Sequence, residues 1–249
     1  MTASRRTGHQ LRMIDIHCHM LPETDDGAGS WQIALEMCRI AAQDGIEHVA
    51  VTPHANDRYA FNRSRHQSVL KGLQSRLEGS LQLTLGCDFH LSYENLQAAL
   101  RDPAAFAIGD TQYILVELSD FSFSHAQWSA LERLQAVGVV PIITHPERNA
   151  ILSRDLDQVV RLASIGCLIQ LTANALTGGW GPHAKHAAEW LLTHDTVHVL
   201  ASDAHDTKHR PPSLSQAWIR ATELTNEHTA NALVRDNPAA ILAGGVVQA

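Results

Sequence analysis

The chain has 249 residues, enough for one large α/β domain or two small ones with a sizeable core. Its 45% hydrophobic and 18% charged residues are ordinary for a globular protein, no apolar run reaches the length of a membrane span, and residues 1–12 lack the apolar stretch of a secretory signal. A net charge of −7 without a basic block speaks against nucleic acid as a partner, and four widely spaced cysteines with no CxxC pair speak against a disulfide framework and fit a reducing cytoplasm.

Residues 1–12 read as a disordered extension ahead of a single domain over 13–249. Apolar, β-rich runs then alternate with amphipathic helical patterns to the end of the chain. Strands are predicted at 13–17, 47–52, 82–88, 113–118, 139–144, 167–172 and 197–202. Several are near-continuous apolar runs, as parallel strands covered on both faces require. Helices are predicted at 30–44, 63–79, 124–137, 155–165 and 181–194, with a shorter one at 92–101. Two more, near 213–225 and 228–235, and a last one after Pro238 close the chain. Ser30 and Ser124 are N-cap candidates, and Gly45, Gly138 and Gly166 follow helices where a left-handed residue is needed. Seven β-then-α units predict a closed or nearly closed parallel barrel. An open doubly wound sheet competes, but no GxGxxG or Walker A sequence follows any strand.

Histidine is over-represented, with 16 residues. Many fall at strand exits together with carboxylates: Asp15-Ile-His17-Cys-His19, Thr52-Pro-His54, Asp88-Phe-His90, Glu117, His145-Pro-Glu-Arg148 and Ser202-Asp203-Ala-His205. In a β/α barrel these exits converge on one face, where active sites are built. Residues i and i+2 on a strand point the same way, so His17 and His19 can face one ion while Cys18 turns away. An HxH pair by itself carries little weight. Six such strand ends on one face carry much more, and Glu117 in an apolar strand would be costly if it were buried unpaired. The candidate ligands are His17, His19, Asp25 or Asp26, His54, Asp88 or His90, Glu117, His145, Asp203 and His205. They are too many for one ion and suit two or three sharing a bridging carboxylate, a device that activates water for phosphoryl transfer. Imidazole and carboxylate donors suit Mn, Fe, Zn or Ni. Arg148 and Arg210 lie on loops of the same face, and guanidinium forks bind phosphate oxygens bidentately.

These motifs, with Pro22-x-x-Asp-Asp-Gly27, Arg210-Pro-Pro212 and Asn174-Ala-Leu-Thr-Gly-Gly-Trp-Gly181, resemble the polymerase and histidinol phosphatase (PHP) superfamily. Within it the chain resembles the bacterial manganese-dependent tyrosine-protein phosphatases of capsule and exopolysaccharide loci, over about residues 13–243. The resemblance implies a distorted seven-stranded β/α barrel with three divalent ions, Mn²⁺ in the first place and Fe or Zn as alternatives. It assigns His17, His19, Asp88 and Asp203 to the first ion, Asp88, Glu117 and His145 to the second, and Asp26, His54 and His205 to the third. Arg148 and Arg210 would grip the phosphate. A metal-bound hydroxide would attack phosphorus without a phosphocysteine, and Asp203 or a bound water would protonate the leaving phenolate. One element departs from the family pattern: Gly-x-Glu-Ile reads Gly86-Cys-Asp88-Phe here.

The function so implied is hydrolysis of phosphotyrosine on a protein, an autophosphorylating tyrosine kinase of polysaccharide export. The alternative is a small-metabolite phosphatase for histidinol phosphate or a nucleotide, differing only in rim loops 56–66, 119–126 and 178–186. Their aromatics (Tyr59, Phe61, Phe121, Phe123, Trp180) could stack on a phenol or a base. A non-catalytic phosphoprotein binder is a third reading, against which the retained carboxylates and both arginines weigh.

Overall fold

The computed structural model describes residues 11–247 except 78 and 80, so ten residues of the predicted extension lie outside the described ones. Elements run β1 (Met13–Cys18), α1 (Trp31–Gln43), β2 (Ile46–Val51), β3 (His54–Ala55), α2 (Arg63–Gln74), β4 (Gln82–Leu85), β5 (Asp88–His90), α3 (Tyr93–Arg101) and β6 (Tyr113–Glu117). They continue through α4 (His125–Ala136), β7 (Val140–Thr144), α5 (Leu156–Ser164), β8 (Leu168–Thr172), α6 (Ala173–Leu176), α7 (Gly181–Thr193), β9 (Val199–Ala201), α8 (Ser215–Leu224), α9 (Glu227–Asn231) and α10 (Asn237–Leu242). The predicted caps are in place. Ser30 accepts from the Ile33 N–H, Ser124 forms a capping box with Gln127, and Gly45, Gly138 and Gly166 all have positive φ.

In place of seven continuous strands, the described residues form nine parallel strands in two sheets, β1-β2-β4 and β3-β5-β6-β7-β8-β9. The difference arises at two places: a short strand resumes after the predicted strand 47–52, past Thr52-Pro53, and the predicted strand 82–88 is interrupted at Gly86-Cys87. Pro53 has no N–H to donate to a ladder. The two breaks lie side by side, joined by hydrogen bonds from Gly86 N–H to the Val51 carbonyl and from Asp88 N–H to the Pro53 carbonyl.

Strands of both sheets pack around a small apolar cluster including Ile14, Ile16, Ala50, Leu115, Ile142 and Val199, while a larger cluster fills the space beneath the helices. The first and last strands meet at a parallel bridge between Cys18 and Ala204. That seam has its own fastener. Asp15, fully buried on β1, accepts from the backbone N–H and the hydroxyl of Ser202 beyond β9. Burial pushes the Asp15 carboxyl up to about 6 against the lowering effect of these bonds. The seam therefore sets His17 and His19 beside Asp203 and His205, residues nearly two hundred positions away. Among the described residues no helix is long and apolar enough to cross a membrane.

Candidate metal centre

His17 and His19 leave the end of β1 fully buried, their Nε2 atoms 3.2 Å apart. Each ring is turned by its other nitrogen. His17 Nδ1 lies 2.9 Å from Gln170 Oε1 and His19 Nδ1 lies 2.8 Å from Asp25 Oδ2. With Nδ1 turned outward in both rings, the two Nε2 atoms face one another across a gap that a shared proton or a cation can fill. The same outer hydrogen bond fixes tautomer and orientation in metal-ligating histidines generally.

Three overlapping sets of side chains bring their donor atoms within 4.8 Å of one another: His17, His19 and Asp88; His19, Asp26, His54 and His205; and His54, Asp88 and Glu117. Asp203 joins the first, with Oδ1 3.4 Å from the Nε2 of both His17 and His19. His145 stands at the edge of the third, its Nε2 3.9 Å from Glu117 Oε1. The structure thus gathers all nine predicted ligand residues in one pocket. His90 lies outside the three sets, with Nδ1 3.6 Å from Glu117 Oε2.

Asp25 and Asp26, indistinguishable in sequence, separate cleanly. Asp25 is spent on positioning: it accepts from His19 Nδ1, from Gly27 N–H at 3.0 Å and from His54 N–H at 3.1 Å. Asp26 turns the other way, its Oδ1 3.4 Å from His54 Nε2 and 3.6 Å from His205 Nε2.

The electrostatics are those of a site short of positive charge. Burial favours neutral imidazole, yet Asp203 and Asp88 raise His17 to about 9, and Asp26 and Asp88 raise His54 to about 11. His145 and His205 go the other way. Burial and Arg148 hold His145 well below the usual range, and burial and His19 bring His205 down to about 3. Both Asp88 oxygens are buried without a hydrogen-bond partner. A cluster that concentrates protons on two imidazoles beside the buried carboxylates Asp88 and Asp203 fits divalent cations in their place. His145 and Asp203 also share left-handed backbone, at φ 39° and 51°. Such strain in non-glycine residues collects at functional sites.

Arg148 and Arg210 converge at the mouth. Both Nη2 groups donate to Asp203 Oδ2, Arg210 at 2.7 Å, and both Nε groups are buried without a partner. Burial would raise the Asp203 carboxyl, but Arg148, His17, His19 and Arg210 hold it well below the usual carboxylate range.

The sequence reading assigned no role to three buried supports. Gln170 orients His17, Glu147 accepts from the Thr172 N–H, and Asp15 fastens the seam. Burial pushes the Glu147 carboxyl up to about 7. Gln170 was visible in principle as a polar residue inside the apolar run Leu168-Ile-Gln-Leu-Thr172. The four cysteines are free and buried, with burial raising every thiol, Cys38 and Cys167 to about 12. None is a candidate thiolate nucleophile.

Comparison with known proteins extends this geometry. The family model described as capsular polysaccharide synthesis, CpsB/CapC, matches residues 13–243. Tyrosine-protein phosphatase YwqE of Bacillus subtilis (strain 168) is 34% identical over 205 residues, 80% of this chain and 79% of the relative. Tyrosine-protein phosphatase CpsB of Streptococcus pneumoniae is 26% identical over 240 residues, 92% and 98% of the two chains. A crystal structure described with YwqE and CpsB as unique metal-dependent tyrosine phosphatases superposes with a TM-score of 0.89 at 29% identity, covering 95% of this chain and 96% of its own.

Proposed function

The chain belongs to the CpsB/CapC family of capsular polysaccharide synthesis, and from that membership and the geometry of the site we propose that it is a metal-dependent phosphomonoesterase acting on phosphotyrosine in a protein. The observation that carries the proposal is the conjunction of three overlapping His/carboxylate sets with two guanidinium groups converging on Asp203 at their mouth.

We assign His17, His19, Asp88 and Asp203 to a first ion, Asp88, Glu117 and His145 to a second, and Asp26, His54 and His205 to a third. Mn²⁺ is the proposed occupant, and Fe or Zn suit the same donors. When bound, the ions supply an activated water as nucleophile and positive charge against the phosphoryl oxygens. Asp88, shared by two of the sets, would serve as the carboxylate common to two ions. Arg148 and Arg210 would exchange Asp203 for phosphate oxygens, presenting the Nη2 groups that now serve Asp203 together with the Nε groups now left unserved. Asp203, released from the arginines, or a bound water would hand to the leaving phenolate the proton given up by the attacking water. Phenol, with a pKa of about 10, needs less help in leaving than a serine alkoxide. The buried, protonated cysteines leave no route through a phosphocysteine.

We read the two sheets as one interrupted seven-strand barrel of the PHP type, supported by the paired strand breaks and the Cys18–Ala204 bridge, with residues 13–249 as a single phosphatase domain. The proposed partner is an autophosphorylating tyrosine kinase of polysaccharide export, and the free cysteines suit the cytoplasm as its place of action.

Elemental analysis paired with phosphate release tests this reading, using a phosphotyrosine peptide, a phosphoserine peptide and histidinol phosphate. The expected result is bound Mn, Fe or Zn, selective turnover of phosphotyrosine, and a loss of about 100-fold or more in Arg148→Ala with metal retained. Turnover that survives removal of all metal, or a preference for histidinol phosphate, would overturn it.

A further inference from the structure

Arg148 and Arg210 share more than Asp203. Both lie over the indole of Trp180, with Arg148 Cζ 4.2 Å and Arg210 Cζ 5.2 Å from the ring centroid. Two guanidinium groups that reach one carboxylate oxygen repel each other, and one carboxylate compensates only one of the two charges. An indole face presents negative quadrupolar density and is the strongest aromatic partner for a cation.

The ring is held where it is by backbone. Gly179 N–H donates to the Asn174 carbonyl at 2.8 Å, and Gly181 N–H to the Gly178 carbonyl at 3.0 Å. A Cβ at Gly179 would lie 2.0 Å from Asn174 Oδ1, so a larger residue there would have to displace the Asn174 side chain. Trp180 follows directly and is 37% exposed, its ring at the edge of the site. Of the rim aromatics expected to stack on substrate, Trp180 is the one that lies against Arg148 and Arg210.

We propose that Trp180 is the positioning residue of the phosphate clamp, its indole a cation–π platform that holds both guanidinium groups side by side against their mutual repulsion. The proposal rests on the reading that Arg148 and Arg210 grip phosphate. It implies that Trp180 acts on phosphate binding through the arginines and not through the metal ions.

The test uses the metal-loaded full chain and inorganic phosphate as the probe, read as its competitive inhibition constant and by calorimetry, with metal content and melting temperature recorded for each variant. Trp180→Leu keeps an apolar side chain and removes the π face, whereas Trp180→Phe keeps a face. Trp180→Leu is expected to weaken phosphate binding about 3- to 30-fold and Trp180→Phe by less than about threefold, with metal content unchanged. In an Arg148→Ala/Arg210→Ala background, Trp180→Leu should cost nothing further, because residues acting through one contact are not additive. Equal losses in the Leu and Phe variants, or an undiminished loss in the double-arginine background, would overturn the platform. If both arginine variants bind phosphate normally, the clamp reading itself fails. If they lose binding and Trp180→Leu does not, only the platform fails.

Discussion

Asp25 and Asp26 are neighbours of identical chemistry, and replacing each by alanine should separate a support from a ligand. In metal-free protein, Asp25→Ala orphans three donors at once: the His19 Nδ1–H and the backbone N–H groups of Gly27 and His54. At about 1–2 kcal/mol for each buried donor left unserved, the loss is about 3–6 kcal/mol. For a chain of this length that lowers the melting temperature by about 6–24 °C. Asp25→Asn should cost about a third as much. Its carbonyl can take the place of Oδ2, which serves both His19 and His54, leaving only Gly27 facing an amide donor. Asp26 is half exposed and serves no backbone group, so Asp26→Ala should move the metal-free melting temperature by no more than a surface ion pair would, about 0–1 kcal/mol. The order should reverse when Mn²⁺ is titrated in. Asp26→Ala loses most of the stabilisation the metal confers at its site, while Asp25→Ala retains a weakened version of it. Differential scanning calorimetry in EDTA and across a Mn²⁺ series reads both effects. Equal metal-free losses for the two alanine variants, or a full Mn²⁺ response in Asp26→Ala, would refute the division of labour.

Other perturbations probe the supports and the chemistry separately. Gln170→Leu leaves His17 Nδ1 without its acceptor and should weaken metal affinity about 10- to 100-fold by calorimetric titration; unchanged affinity would remove Gln170 from the site's architecture. His198 Nδ1 accepts from the Ile169 N–H, and burial lowers its pKa. Stability present above the unfolded-state value of about 6.5 is therefore lost as pH falls below it, since the unfolded chain takes up a proton that the folded chain resists. Urea titrations in EDTA between pH 7.5 and 5.5 should show His198→Asn with a shallower decline than wild type, by up to one proton, and identical slopes would count against the assignment. Iodoacetamide at pH 7.5 should leave phosphotyrosine turnover intact, because all four thiols are buried and raised. Loss of turnover with metal retained would point to a thiol in the reaction.

What could be read from the sequence followed from local rules. The i, i+2 alternation aimed His17 with His19, and strand exits marked where His54, Glu117, His145 and Asp203 would meet. Helix starts at Ser30 and Ser124 needed only a side chain three residues from its donor or fewer. The parts that stayed hidden are set by distant or turn-specific contacts. α8 has no local cap: the N–H groups of Leu214 and Ser215 donate to Asp44 Oδ2, a carboxylate at the far end of α1. The strand breaks depend on two irregular segments lying side by side. The roles of Asp25 and Asp26 depend on a turn that closes so tightly that a Cβ on Gly27 would meet the His19 carbonyl oxygen at 2.0 Å.

At position 88 the chain carries aspartate where the family it resembles carries glutamate. An aspartate in place of glutamate is a methylene short, and its carboxylate can bridge only if its strand lies closer. Asp88 opens β5 immediately after the break at Gly86-Cys87, with its Cα opposite His54 on one side and Leu115 on the other. From there Oδ2 lies 2.9 Å from His54 Nδ1 and 3.7 Å from His17 Nε2, so the shorter side chain faces donors from two of the three sets. His90 stays beside Glu117, outside those sets. The nearness of Asp88 to both His54 and His17, and of His90 only to Glu117, supports the proposal that Asp88 rather than His90 would be the shared ligand.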